Sequence, residues 1–224
     1  MTPRRIHVGT SNTPVVIIDG FGGSLAQTRA LADALKPYPP ASNYYPGLRR
    51  VIAEEDAPAH DYVVRTLEAA APFVGGGFDM DGFDLIEASF SIVTAPPSSL
   101  NPLQRAPHFD TTDPKQLAVL HYLSDTPGTG TAFFRQRSTG IERVSETNVA
   151  EFVAAARRES VGLSGYIQGS NAPFEQIGLV EALPDRLIIY PSCLLHSGII
   201  PPDMPLSDDP RRGRLTANIF IRGH

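Results

Sequence analysis

Short apolar runs alternating with polar positions, each closed by glycine or proline, are the commonest pattern along this chain. Val15, Val16, Ile17 and Ile18 form a β-branched run ended by Gly20, Gly22 and Gly23, which predicts a strand with a breaker behind it. The period then changes. Leu25, Thr28, Leu31, Ala32 and Leu35 recur at helical spacing behind a capping Ser24, and Pro37 stops the segment. Val63, Val64, Leu67 and Ala71 repeat that spacing within 56–74, where Gly75, Gly76 and Gly77 are expected to end a second helix. Between the two, 36–50 is crowded with Pro and Tyr and reads as irregular, either surface packing or the lining of a pocket.

Beyond residue 80 the period of two returns. Segments 84–93, 116–123, 131–135, 174–181, 185–190, 194–200 and 213–222 each predict a strand, which with 13–18 makes eight. Thr126, Pro127, Gly128, Thr129 and Gly130 mark a turn between two of them. An insertion over 136–173 interrupts the series and carries a helix that opens near Ser145 and runs to about Arg158. Even strands joined by turns argue for a mainly β, α+β fold, a sandwich or open barrel rather than βαβ layering. The expected organisation is one domain, with the strand and helices of 1–80 packed on a β core over 84–222.

Composition narrows the partners. A hydrophobic content of 42%, a charged content of 19% and a net charge of -5 describe an ordinary globular chain without the basic footprint that nucleic acid requires. Paired arginines (Arg49-Arg50, Arg157-Arg158, Arg211-Arg212) leave room for a local positive site. The single Cys193 excludes an intrachain disulfide and favours a reducing compartment. Arg4 and Arg5 are followed by no apolar core of signal-peptide length, and no apolar run approaches membrane-spanning length. A cytoplasmic protein with no membrane and no nucleic-acid partner is expected; oligomeric state is open.

Candidate chemistry centres on residues 106–111. His108 and Asp110 flank Phe109, and in extended chain their side chains project to one side while Phe109 packs on the other. An imidazole and a carboxylate so placed are suited to one divalent ion, and a third ligand would complete a two-His-one-carboxylate face with open positions opposite. His196 is the candidate third ligand, and His121 competes with it. His121 neighbours Tyr122, so only one of the two can look into a pocket. On the last strand Arg214, Thr216, Asn218 and Phe220 share a face. An arginine turned into an apolar barrel needs an anion, and a bidentate carboxylate with Thr216 as added donor would satisfy it. The alternative leaves Arg214 in water at the strand entrance.

These elements in this order, together with Tyr122-Leu123-Ser124-Asp125, Gly128-Thr129-Gly130-Thr131-Ala132-Phe133-Phe134 and Asp185-Arg186-Leu187-Ile188-Ile189-Tyr190-Pro191-Ser192, resemble the Fe(II)/2-oxoglutarate-dependent dioxygenases, and among them the prolyl-hydroxylase-like branch. The resemblance covers about 84–222 and implies a double-stranded β-helix, a jelly-roll or cupin-like barrel. It further implies that His108, Asp110 and His196 bind Fe(II), that Arg214 and Thr216 hold the distal carboxylate of 2-oxoglutarate, and that Tyr122 donates to that carboxylate. The interval between His196 and Arg214, filled by Pro201, Pro202, Asp203, Met204 and Pro205, is longer than the branch's pattern, so Arg211 and Arg212 are alternative anchors. The implied activity consumes O2 and 2-oxoglutarate, releases succinate and CO2, and hydroxylates an unactivated C–H of a small metabolite or an amino-acid or peptidyl unit. Arg135 and Arg137, at a strand end expected to border the mouth, are suggested contacts for an anionic substrate group, and 136–173 is a candidate lid or substrate element. Other classes compatible with the barrel are an inert cupin-like binding module and a metal-dependent hydrolase or isomerase.

Overall fold

Alternation of buried and exposed positions builds two antiparallel sheets that face each other, and helices cover what remains apolar. A computed structural model describes residues 1–42 and 44–224; Asn43, within the segment expected to be irregular, lies outside the described residues. In chain order the elements are β1 (Thr2–Val8), β2 (Thr13–Asp19), α1 (Leu25–Ala34), β3 (Gly47–Val51), α2 (Ala57–Phe78), β4 (Phe83–Val93), β5 (Gln116–Tyr122), β6 (Gly130–Gln136), α3 (Val149–Glu159), β7 (Phe174–Glu181), β8 (Arg186–Pro191), β9 (His196–Ile199) and β10 (Leu215–Gly223). A seven-stranded sheet has the order β1-β2-β8-β5-β10-β4-β3, and a three-stranded sheet the order β7-β6-β9. This is the mainly β, two-sheet layout expected of a double-stranded β-helix.

Two faces of the large sheet bury different clusters. Val16, Ile18, Phe90, Val119, Ile189, Ala217 and Ile219 turn outward onto α1 and α2. Their neighbours one residue along, Val15, Ile17, Ala118, Leu120, Tyr122, Ile188 and Tyr190, turn inward and meet Phe133 and Val180 of the small sheet. A one-residue slip would exchange these sets, so register is fixed by burial on both faces.

Three features depart from the sequence expectation. β1 pairs along its length with β2 at the edge of the large sheet, with Arg5 opposite Val16. Its charges and Pro3 hide it from a hydrophobic search and also blunt a free edge. β3 lies inside the Pro- and Tyr-rich segment and pairs with β4. α2 runs through Gly75, Gly76 and Gly77 to Phe78 and ends at Asp79 in the left-handed conformation. A Cβ at Gly77 would sit 2.7 Å from Val16 Cγ2, so that glycine permits close packing on β2 instead of stopping the helix.

The insertion packs in two places: Tyr166 clusters with Val93, Leu100 and Ile200 and donates to Ala95 O at 2.7 Å, while its helix lies elsewhere. Phe152 and Ala156 of α3 pack with Ala132, Phe134, Phe174 and Leu195 on the outer face of the small sheet, and Phe109 rests against the Phe152 ring at 5.7 Å between centroids. Among the described residues no helix is long and apolar enough to cross a membrane.

Candidate metal centre and adjoining chamber

His108 and Asp110 reach their positions through the backbone. His108 N–H donates to His196 O at 2.9 Å, His196 N–H returns the bond to His108 O at 2.8 Å, and Asp110 N–H donates to Ser192 O at 2.9 Å. The segment is thereby sewn to the start of β9. As alternation predicts, Phe109 turns away onto α3 while His108 and Asp110 face the same way, with Nε2 of His108 3.9 Å from Oδ1 of Asp110. Nε2 of His196 lies 3.7 Å from Oδ2 of Asp110. One ligand atom from each of the three residues falls within 4.8 Å of the other two, near enough to share a single ion.

The protonation states suit that use. Desolvation lowers His108 to about 4, His196 pushes the same way, and Asp110 opposes it. Desolvation likewise lowers His196 to about 4, against a bond to the Leu194 carbonyl. Burial thus favours the neutral imidazole a ligand must be, firmly at His196 and less so at the half-exposed His108. His196 Nδ1 meets Leu194 O at 2.8 Å, which sets the Nδ1–H tautomer and leaves the Nε2 lone pair facing Asp110. Desolvation raises Asp110 to about 6, offset in part by His108 and Arg49. A carboxylate pushed up by burial beside neutral imidazoles is a group short of positive charge. His108 itself keeps 53% of its side chain exposed, so the trio stands at an opening and not in a sealed core.

Deeper between the sheets lies a second polar group. Thr216 pairs across the ladder with Tyr122 on one side and Ser91 on the other. Arg214, just before β10, is 5% exposed. Its guanidinium stands 5.8 Å from the Tyr122 ring centroid and donates one bond, 3.3 Å to Gly130 O. Among the described residues its Nε is buried with no partner, and so is the Ser91 hydroxyl. A buried guanidinium without a carboxylate costs several kcal/mol, on the order of a buried unpaired charge. A dicarboxylic cosubstrate carries such a carboxylate, so the residues present fit both metal and cosubstrate.

Other residues are arranged differently from the simplest expectation. Tyr122 donates its hydroxyl to Thr131 Oγ1 at 2.7 Å, so the hydrogen left to point into the chamber is that of Thr131. Thr216 bonds the Tyr45 phenol, which burial pushes up to about 12. Neither Thr131 nor Tyr45 stands out in the sequence, although the Tyr-rich composition of 36–50 was a faint pointer to a pocket. His121 turns outward beneath α2, with Nδ1 2.8 Å from the Tyr62 hydroxyl and Nε2 2.9 Å from Asp185 Oδ1, and takes no part in the trio. Arg211 lies on the surface against Asp209 and Asp33, and Arg212 is also exposed. Arg135 pairs with Glu142 and Glu175, and Arg137 approaches Glu175 and bonds Asn171 O. The recorded bonds of both arginines lead away from His108, Asp110 and His196.

The comparisons follow this geometry. A family model described as a family of unknown function, DUF6445, matches residues 1–221. The chain belongs to DUF6445. A search of curated proteins finds no match to this DUF6445 chain. Among solved structures, it is similar to a Pseudomonas putida prolyl-4-hydroxylase at 14% identity and TM-score 0.52, over 96% of this chain and 95% of that one. It is similar to HygX from Streptomyces hygroscopicus, solved with nickel and 2-oxoglutarate bound, at 14% identity and TM-score 0.53, over 95% and 84% of the two chains. A truncated viral collagen prolyl hydroxylase from Paramecium Bursaria Chlorella virus-1 aligns at 13% identity and TM-score 0.52, over 100% of this chain and 96% of that one. At these identities the likeness establishes a shared fold for the DUF6445 chain, along nearly its whole length.

Proposed function

We propose that this DUF6445 protein is an Fe(II)- and 2-oxoglutarate-dependent oxygenase. It would hydroxylate an unactivated C–H of a small metabolite or an amino-acid or peptidyl unit, by the balance R–H + 2-oxoglutarate + O2 → R–OH + succinate + CO2. One observation carries the reading: a His-x-Asp…His trio opens onto the same interior as a buried arginine that lacks an anion. The fold shared with 2-oxoglutarate enzymes supports it, and HygX has also been solved with iron bound.

Bound ferrous iron supplies the oxidising chemistry, using the keto acid and O2. The chain's own residues do the rest. His108, Asp110 and His196 would hold the metal. Arg214 pairs with the distal carboxylate of 2-oxoglutarate, with Thr131 and Thr216 beside it. Tyr190, whose ring lies 5.0 Å from that of His196, packs that imidazole in place. Phe133 packs edge-on against Tyr190 at 5.2 Å and keeps the floor dry.

Anaerobic titration with Fe(II) and then 2-oxoglutarate tests the assignment, because chelation of ferrous iron by the keto acid gives a visible charge-transfer absorption. A band that saturates with one equivalent of each is expected. Metal binding with no band would point to a hydrolase or isomerase on this barrel, and binding of neither to an inert module. Succinate release screened against metabolites and peptides, with mass spectrometry for an added oxygen, then finds the substrate.

A further inference from the structure

The large sheet presents a second inward arginine that the assignment above leaves unused. On β3, Leu48 packs toward the helices, so Arg49 faces the interior. Its backbone pairs with Ser91, at the level of Thr216, but its side chain runs along β4 in the other direction. Nε donates to Ser89 Oγ at 2.9 Å, Nη2 pairs with Glu87, and the guanidinium carbon stands 5.8 Å from the Phe220 ring centroid. Ladder pairing places that head group. Glu87 lies opposite Phe220, Phe220 opposite Ala118, and Ala118 opposite Tyr190, in one row across the inner face. Tyr190 touches the His196 ring. The Arg49 head is therefore at the level of the metal trio, on the facing wall, while Arg214 and Thr216 lie deeper.

We infer that Arg49 is the specificity-determining residue for the oxidised substrate and that it takes a carboxylate on that substrate. This rests on the oxygenase reading above. Among the described residues two of the five guanidinium N–H donors are engaged, by Ser89 and Glu87, and the planar fork suits a two-oxygen acceptor. The Arg49 side chain is only 15% exposed and is held by Ser89 and Phe220, whereas its ion-pair partner Glu87 is 39% exposed, the weaker, solvent-screened side of the pair. Asn218, on the same wall, donates to Thr216 at 3.3 Å. A carboxylate seated here holds the adjoining carbons of the substrate between Arg49 and the metal.

The test uses paired compounds differing in one charge: N-acetyl amino acids and their carboxamides, titrated calorimetrically into anaerobic protein loaded with Fe(II) and 2-oxoglutarate. At least one acid should bind about tenfold or more tighter than its carboxamide. Arg49→Gln should remove that preference and Arg49→Lys should restore part of it, while the charge-transfer band and 2-oxoglutarate affinity persist in both variants. The inference is overturned if no pair shows a preference for the acid, if the preference survives Arg49→Gln, or if Arg49→Gln weakens 2-oxoglutarate. A wild-type protein without the band fails the oxygenase reading instead, and the paired titrations, read on metal-loaded protein, still decide whether Arg49 selects carboxylates.

Discussion

His121 on β5 and His196 on β9 are both buried histidines, yet their surroundings differ in kind. His121 is closed on itself: Tyr62 meets one nitrogen, Asp185 the other, and Asp185 is satisfied by the Gly22 and Gly23 amides at 2.7 and 3.0 Å. Glu142 is closed in the same way, taking bonds from Thr10, Ser11 and Arg135 with 3% of its side chain exposed. His196 has one nitrogen fixed by Leu194 and the other turned toward a carboxylate too distant for a hydrogen bond. Arg214 has a buried nitrogen with no partner. Buried polar groups that complete each other hold the fold together. Those left incomplete between the two sheets are the candidates for holding a ligand.

Substitutions at the two kinds of cluster should separate accordingly. The largest effect is expected from His196→Ala, which removes one of three ligands. Metal affinity should fall by more than about 100-fold, since changes outside the ligand set alone reach 10–100-fold, while the thermal melt of metal-free protein moves little. Fluorescence competition for Fe(II) or a surrogate ion measures it, and tight binding by the variant would remove His196 from the trio.

Arg214→Gln comes next. Losing a buried partner for a carboxylate costs about 2–4 kcal/mol, or about 30- to 1000-fold in 2-oxoglutarate Kd, with Fe(II) binding retained. If Arg211→Gln weakens 2-oxoglutarate instead, the anchor is on the surface loop.

Glu142→Gln should act on stability alone. It frees Arg135 and the 10–11 turn, at about 2–3 kcal/mol in urea unfolding, discounted for the partial exposure of Arg135. Burial raises the Glu142 carboxyl, but Ser11, Thr10 and Arg135 more than offset it and hold it at about 2. Because the folded value lies below the unfolded one, this stabilisation is complete above the ordinary carboxylate range and disappears as pH falls toward about 2. The wild type should lose its advantage over the variant across that acid window. A gap between the two that is constant with pH would contradict the linkage.

Tyr62→Phe is the mildest. It leaves His121 Nδ1 without its partner, for about 1–2 kcal/mol, and should leave 2-oxoglutarate affinity unchanged. An altered cosubstrate affinity would join the outer cluster to the site and erase the distinction.

Much of this was legible in the chain. Alternation located the strands of both sheets from β4 onward and predicted that Phe109 turns away from His108 and Asp110. Spacing found the starts of α1 and α2. β1 and β3 were not legible, because a charged edge strand and a proline-flanked strand draw their stability from pairing and not from an apolar pattern of their own. Thr131, Tyr45 and Arg49 entered the sequence reading only within wider patterns (a motif, a Tyr-rich segment, an arginine pair), because their individual placement depends on strand pairing.

Sequence by itself therefore determined which side chains share a face, because the period of an extended chain is two and holds wherever a strand forms. Only the tertiary structure decided which faces look at each other. His108 and His196 lie far apart in the chain and become neighbours through one pair of backbone bonds. The choice of His196 over His121, and of Arg214 as the inward arginine of the final segment, depends on which face of the large sheet the helices cover. That is settled by the joint burial of both faces, a property no single strand carries.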